Sequence, residues 1–580
     1  MRRRVSEALG IGSLPTRTAD RLAAWSARRA VAATGFVSQP EPRSIGLHAR
    51  GKQLLSGNIL LAGFLAEAPG SPLWDIPPPD PAFQAAAHGF GWLDDLVALG
   101  NPRARALAQD WTWAWIDRYS GGTGPGWTPD LTGRRIIRWT HHAIFLLQGR
   151  DKAAADAYYL SLSRQAAYLA RRWKGARPGL PRFEALTGLL YAGLSLIGKE
   201  ALVAPALAAL SRDCATQIDA SGALATRNPE ELLEVLTLLT WALHALAEAG
   251  QPVPDPIAAA VDRIAPALRV LRHADGGLAR FHGGGKGLEG RLDQALAAAG
   301  PGGPVGHIAI AMGFARLSGG RTSVILDVAA PPRGPARATA HASTAAFELT
   351  SGRRPLIVSC GSGLPFGPDW RLAGRATQSH SALCLNGFSS SRFGRNPAAG
   401  LLDDAARVTA LRQAAGEGGL VHVAHDGWTA SHGLTASREL HLSGNGRRLG
   451  GTDALTALSA ADRARFGAVL DRSRLEGIGF AIRFHLHPDV DATLDLGGTA
   501  VSMQLRSGEI WVFRHDGVAK LSLDPSVYLE NGRINPRPTL QIVLSGLAHD
   551  VETRIGWTLA KAQDTPLAIR DLDRDDPVPL

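Results

Sequence analysis

The sequence is poor in several residue types, and each shortage excludes something. It has three cysteines in 580 residues, at 214, 360 and 384. None stands in a C-x-x-C pair, so a zinc ribbon, a thioredoxin motif and a disulfide framework are excluded. All three sit in apolar surroundings and read as small core residues. Lysine occurs seven times, at 52, 152, 174, 199, 286, 520 and 561, which leaves 62 − 7 = 55 arginines. No run of about 18 apolar residues occurs, so no transmembrane helix is expected. The start, Met1-Arg2-Arg3-Arg4, is basic, but Ser6, Glu7, Thr16, Arg17 and Asp20 interrupt what would be a signal peptide's apolar stretch. The expectation from this alone is a soluble, cytoplasmic chain.

What is present is an ordinary globular composition, 45% hydrophobic and 20% charged. Collagen-like and disordered classes are excluded. The length favours two or three domains. The formal net charge is +10. The arginine bias follows from a GC-rich genome, or it serves a carboxylate-, sulfate- or phosphate-bearing ligand through the guanidinium fork. No basic stripe with interleaved aromatics appears, so nucleic acid is not an expected partner.

Apolar residues recur at helical spacing over 84–99, 102–119, 134–148, 152–172, 183–197, 201–218, 229–249 and 255–273. Breakers such as Gly100-Asn101-Pro102 and Pro178-Gly179 separate them. A last helix is expected from His307 to Leu317. From about residue 320 the pattern alternates, as in Thr322–Val328, Phe480–Leu486 and Ile510–Phe513, with turns at Asn445-Gly446, Asp516-Gly517 and Asn531-Gly532. The fold expected is multidomain: a toroid of helical hairpins over 1–320, an antiparallel β-sandwich over 321–565, and a loose tail over 566–580.

Four segments carry a resemblance. They are His88–Leu96; Trp127–Arg135 with Trp139; His341-Ala342-Ser343 to Phe347 with Pro355–Gly361 and Ser379-His380-Ser381; and His425–Trp428 with Arg438 and Gly451-Thr452-Asp453. The chain resembles bacterial heparinase II/III-like proteins, polysaccharide lyases that join an incomplete α/α toroid to a C-terminal β-sandwich. The resemblance implies β-elimination on an acidic, uronate-containing polysaccharide or oligosaccharide. A neutraliser must offset the carboxylate beside C5, a base must take the C5 proton, and an acid must protonate the leaving oxygen. It implies no required nucleotide or redox cofactor, and the periplasm or cell envelope as an alternative compartment.

The carry-over to residues is incomplete. Arg182 stands where a neutraliser is expected. The turn Ser221–Glu231 lacks the family's tyrosine; the six tyrosines are at 119, 158, 159, 168, 191 and 528, and Tyr191 reads as core. Family members bind zinc through His, Asp and His. His341 and His380 match the histidines, but Ser359 takes the aspartate position and is a poor ligand. The candidate catalytic set is therefore His341, His282, Arg182 and Arg227, with zinc on His341 and His380 implied only by the resemblance.

The candidate substrate-binding set is Trp127, Arg134, Arg135, Asn228, Glu230 and Arg280. Each has a plainer reading. Asn228 suits an N-cap before Pro229, with Glu230 and Glu231 in the first turn. Arg134 and Arg135 suit a solvated helix start. Arg280-Phe281-His282 precedes three glycines, where backbone can approach a ligand closely; no Ser or Thr follows Lys286, so a P-loop is excluded. Trp111, Trp113 and Trp115 cannot share one face, so one is expected to be partly exposed. His485-Leu486-His487 and His141-His142 read as packing residues. Two readings compete with a lyase: a glycan-binding member that has lost its chemistry, and a glycoside hydrolase. The second needs a carboxylate pair, for which Asp94, Asp95, Glu184, Glu230 and Glu231 are available.

Overall fold

The computed structural model describes residues 14–37, 41–303, 305–394, 400–530 and 532–562. The basic start at 1–4, Asn531 of one expected turn, and the tail 566–580 lie outside the described residues.

The helical half forms as its local signals dictate. Pro102–Tyr119, Lys152–Arg172 and Pro229–Glu248 are helices opened by Asn101, Asp151 and Asn228. Each cap side chain accepts from the first turn: Asn101 from the Ala104 amide at 2.9 Å, Asp151 from Ala154 at 2.8 Å, and Asn228 from Glu230 and Glu231 at 3.0 and 3.2 Å. The stretch 84–99 is two helices, Pro81–His88 and Gly91–Leu99. Phe90 between them is left-handed at φ 60°, and its ring is fully buried against Trp92 and Trp139. Aromatic burial there outweighs helix continuity. The helix expected over 134–148 starts earlier, at Pro129, and breaks at His142 into Pro129–His141 and Ala143–Leu147. Pro129–His141 and Leu180–Ser195 meet backbone to backbone. A Cβ on Gly188 would lie 2.4 Å from the Gly133 Cα.

The expected helix from His307 to Leu317 is a hairpin instead, with strands Ile308–Ala311 and Phe314–Gly319. Met312 and Gly313 both take positive φ, 51° and 74°, the geometry of a two-residue turn between twisted strands. The alanine content suggests a helix, but pairing with Thr322–Asp327 wins.

Two antiparallel sheets make the sandwich. One runs Lys520–Tyr528, Arg537–Ala548, Ile478–Leu486, Arg354–Val358, Phe347–Ser351, Thr322–Asp327, Phe314–Gly319, Ile308–Ala311, with Leu383–Leu385 also on Ile478–Leu486. The other runs Val408–Ala415, Gly418–Trp428, Leu434–Ser443, Arg448–Thr456, Glu552–Lys561, Ile510–His515, Ala500–Leu505, Val490–Asp495. Between them Phe347 stacks on Trp557 at 5.7 Å, and Phe484 meets Trp557 edge-on at 4.8 Å. Arg438 lies buried in this core. It pairs with Asp453 at 2.8 Å and donates to the Ala345 and Ser381 carbonyls at 2.8 and 2.6 Å. Four of the five N–H groups of this fork meet acceptors, with Asp453 taking two, and such pairing is what permits a buried guanidinium. The three cysteines are buried, and burial pushes their thiols up to between about 11 and about 12. Among the described residues no helix is long and apolar enough to cross a membrane.

Candidate functional site

Helical half and sandwich meet along a polar seam built on the loop that follows the helix Asp255–Val270. Arg280 donates its amide to Glu348 Oε2 at 3.0 Å and its Nη1 to the Tyr528 hydroxyl at 2.5 Å. His273 Nε2 lies 3.3 Å from the same carboxylate. Burial alone would raise the Glu348 carboxyl, but Arg280 and His273 outweigh it and hold it at about 2. Phe281 packs on Phe314, with ring centroids 4.8 Å apart. His282 is left-handed at φ 50° and turns into the seam.

Three histidines then follow in a chain. The His341 amide donates to His282 Nδ1 at 3.1 Å. His341 Nδ1 and His380 Nε2 are 3.3 Å apart, and His380 Nδ1 lies 2.9 Å from Ser359 Oγ. All three side chains are buried. Burial first, then neighbouring charge, drives each imidazole below its usual range, His380 to about 3. They are neutral at physiological pH. His282 Nε2 has no hydrogen-bond partner among the described residues and stands 3.7 Å from Asp327 Oδ2.

Asp327 is the anchor of the seam. It accepts from Ser343 Oγ at 2.7 Å and from Arg227 Nη2 at 2.6 Å. Arg227 also donates to the Met312, Ala330 and Gly313 carbonyls at 2.8, 2.8 and 2.9 Å. Its guanidinium bolts the helical half to the sandwich. Asn228 caps its helix, and its Nδ2 is 3.5 Å from the His282 carbonyl. Glu230 accepts from the Gly285 amide at 2.7 Å. The glycine loop is thus gripped by the helix start. A side chain on Gly284 would collide with Asn228 Oδ1 at 2.4 Å.

The other expected site residues lie elsewhere. Arg182 closes a turn by donating to the Ala176 and Lys174 carbonyls, and nothing joins it to the histidines. Trp127, Arg134 and Arg135, three of the candidate substrate-binding residues, do not share a common exposed surface. Trp127 is buried, its indole donating to the Tyr119 carbonyl at 2.9 Å. Arg135 is wholly buried over the Trp115 ring at 4.1 Å, bonded to Gln165 and the His88 carbonyl. Only Arg134 reaches the surface, and it pairs with Glu184 at 2.5 Å. Burial, opposed by Arg134, lifts the Glu184 carboxyl to about 7. Of the three tryptophans in one helix, Trp113 is the half-buried one, and Arg150 covers it at 4.6 Å. His485 is satisfied by Ser526 and the Gln378 carbonyl at 2.8 and 2.9 Å, and Tyr191 is core.

The comparisons with known proteins agree with this architecture. The family description "Heparinase II/III-like, C-terminal" matches residues 306–558. The chain is 32% identical over 557 residues to "FtsZ-localized protein C" of Caulobacter vibrioides, with 91% of each chain covered. The chain belongs to the heparinase II/III-like family. Among solved structures it is similar to heparinase III, with TM-score 0.68 and 13% identity over 94% of this chain and 89% of that one. It is also similar to the heparan sulfate lyase HepC of Pedobacter heparinus, with TM-score 0.55 and 13% identity over 96% and 90%. These two likenesses concern the fold.

As a heparinase II/III-like chain it lacks a fitting zinc donor set. Two neutral imidazoles and the Ser359 hydroxyl are present where a carboxylate is wanted, and that hydroxyl is engaged by His380. Among the described residues no three His, Cys, Asp or Glu side chains are grouped to hold a metal ion. The sequence reading missed Asp327, Glu348 and Tyr528. One signal was available for Tyr528: it is the only tyrosine after residue 191. Its ring lies 5.0 Å from that of His487, so His487 borders the seam as well.

Proposed function

We propose that this chain is a lyase-fold protein that binds without cleaving and that it localises with FtsZ, as the name FtsZ-localized protein C says of its Caulobacter relative. One observation carries the non-cleaving reading: both seam guanidinium groups, Arg227 and Arg280, are spent on acceptors within the protein, and His282 Nε2, the buried seam atom without a partner among the described residues, belongs to a neutral imidazole. Arg227 donates to three carbonyls and a carboxylate. β-Elimination needs a donor free for the substrate carboxylate, together with an accessible base and acid. The neutral histidines are buried, and Arg280 is taken by Glu348 and Tyr528.

A second reading, retained β-elimination on a uronate-containing polymer, is favoured by Tyr528. This phenol stands beside Arg280 and His487, so a proton-transfer group reaches the seam from the sandwich. One experiment separates the two. Purified protein is incubated with polyuronides and glycosaminoglycans, and ultraviolet absorbance of the unsaturated product is followed. No rise is expected. A rise that disappears in both His341→Ala and Tyr528→Phe would overturn the non-cleaving reading. A fluorescent fusion is expected to colocalise with FtsZ, and a diffuse signal would overturn that localisation.

A further inference from the structure

The outer face of the eight-stranded sheet carries a groove of about 440 Å³ that the seam does not use. Its floor crosses Arg448–Thr456 and Glu552–Lys561, where Gly450 pairs with Thr558 and Thr452 with Gly556. The pleat sends alternate residues to opposite faces. Leu449, Leu455, Ile555, Trp557 and Leu559 go to the core, and the two glycines and two threonines line the outside. One wall is Leu434–Ser443, with His441 beside Gly450 and Glu439 beside Thr452. The other wall is Ile510–His515, with Arg514 beside Thr558. Three strand spacings set the walls about 14 Å apart.

Glycine inside a strand weakens it and marks a close approach. At Gly450 the approach is not an internal one: an added Cβ would find nothing nearer than the His441 carbonyl at 4.0 Å. The missing side chain leaves open space. Asp516 at the rim is internally spent, accepting from the Gly556 and Val518 amides at 2.6 and 3.0 Å. Arg514 and His441 differ from the arginines and histidines of the seam. Among the described residues no hydrogen bond or close ion pair engages their side chains, and Arg514 lies near enough to Asp495 to act on its charge. The volume lies within the range of small-ligand sites.

We propose that this groove binds a carboxylated sugar, with Arg514 taking the carboxylate through its guanidinium fork and His441, Glu439, Thr452 and Thr558 meeting ring hydroxyls. The lining chemistry favours sugar over peptide. It offers hydroxyls, two carboxylates and two imidazoles, of which Asp516 and His515 already accept from backbone amides, and one guanidinium, and no apolar pocket for a peptide side chain; the Trp557 ring faces inward. One guanidinium without a close carboxylate partner suits one ligand carboxylate in bidentate fashion. The site lies outside the seam and goes beyond the non-cleaving reading, so its failure leaves that reading standing.

The test is calorimetric titration of the full-length protein with a trigalacturonate probe, and with galactotriose as the neutral control. Arg514→Ala is expected to weaken trigalacturonate binding at least tenfold. Gly450→Thr, which fills the floor and suits a strand, is expected to do the same at an unchanged melting temperature. Lys152→Ala, at an exposed helix position outside both the groove and the seam, is expected to leave affinity unchanged. No binding by the wild type, or equal binding by both groove variants, would overturn the proposal. Equal competition by a glutamate peptide would reduce the groove to a charge effect and overturn its assignment to sugar.

Discussion

Arg227 and Asp327 form a 2.6 Å ion pair that joins the two halves of the molecule. The arginine sits just before the helix Pro229–Glu248, and the aspartate ends the strand Thr322–Asp327. The carboxylate is fully buried. Removing one partner of such a pair leaves the other charge uncompensated. Arg227→Ala is therefore expected to destabilise the protein by about 3–5 kcal/mol, read as a lowered urea midpoint. A change below about 1 kcal/mol, which is the scale of an exposed pair, would contradict this role.

The histidine chain makes stability fall in acid. Buried His380 keeps its proton off until about pH 3 in the folded state, whereas an unfolded histidine gains one near pH 6.5. Between those values the unfolded state binds more protons, so stability drops as pH falls through that window. Urea unfolding at pH 7.5, 5.5 and 4.5 is expected to show the decline. His380→Asn is expected to flatten part of it. An unchanged slope in the variant would place the acid sensitivity elsewhere.

Zinc is expected neither to raise the melting temperature of the wild type nor, when chelated, to lower it. Ser359→Asp supplies the missing carboxylate next to His380. That variant is expected to gain a zinc-dependent rise in melting temperature, because metal that binds only the folded state stabilises it. A zinc response in the wild type would show that the donor set has been misjudged.

Gly188→Ala is expected to cost about 1–3 kcal/mol. The new Cβ would meet the Gly133 Cα at 2.4 Å, and neither helix backbone can move without disturbing the pairing of Pro129–His141 with Leu180–Ser195. Thermal unfolding measures the loss.

Much of the fold was legible because its causes are local. The caps at Asn101, Asp151 and Asn228 act on amides two or three residues away. The alternation over Phe480–Leu486 needs only the two-residue period of a strand. The hairpin at 308–319 was not legible, because its alanines carry helix propensity while its strand partner lies further along the chain. Arg135 and Trp127 look like surface residues beside polar neighbours. Their burial depends on Gln165, Tyr119 and Trp115 arriving from other helices.

The amino-acid sequence by itself determined the two-part architecture, the capped helix starts at Asn101, Asp151 and Asn228, and the family, since periodicity, caps and short motifs are properties of neighbouring residues. Only the tertiary structure decided the fate of the candidate site. Arg227, His282, Asp327, His341 and His380 come from five separate segments and meet where the halves dock. Whether a guanidinium is free for a ligand or spent on a carbonyl depends on which acceptors surround it, and those acceptors are assembled only by docking.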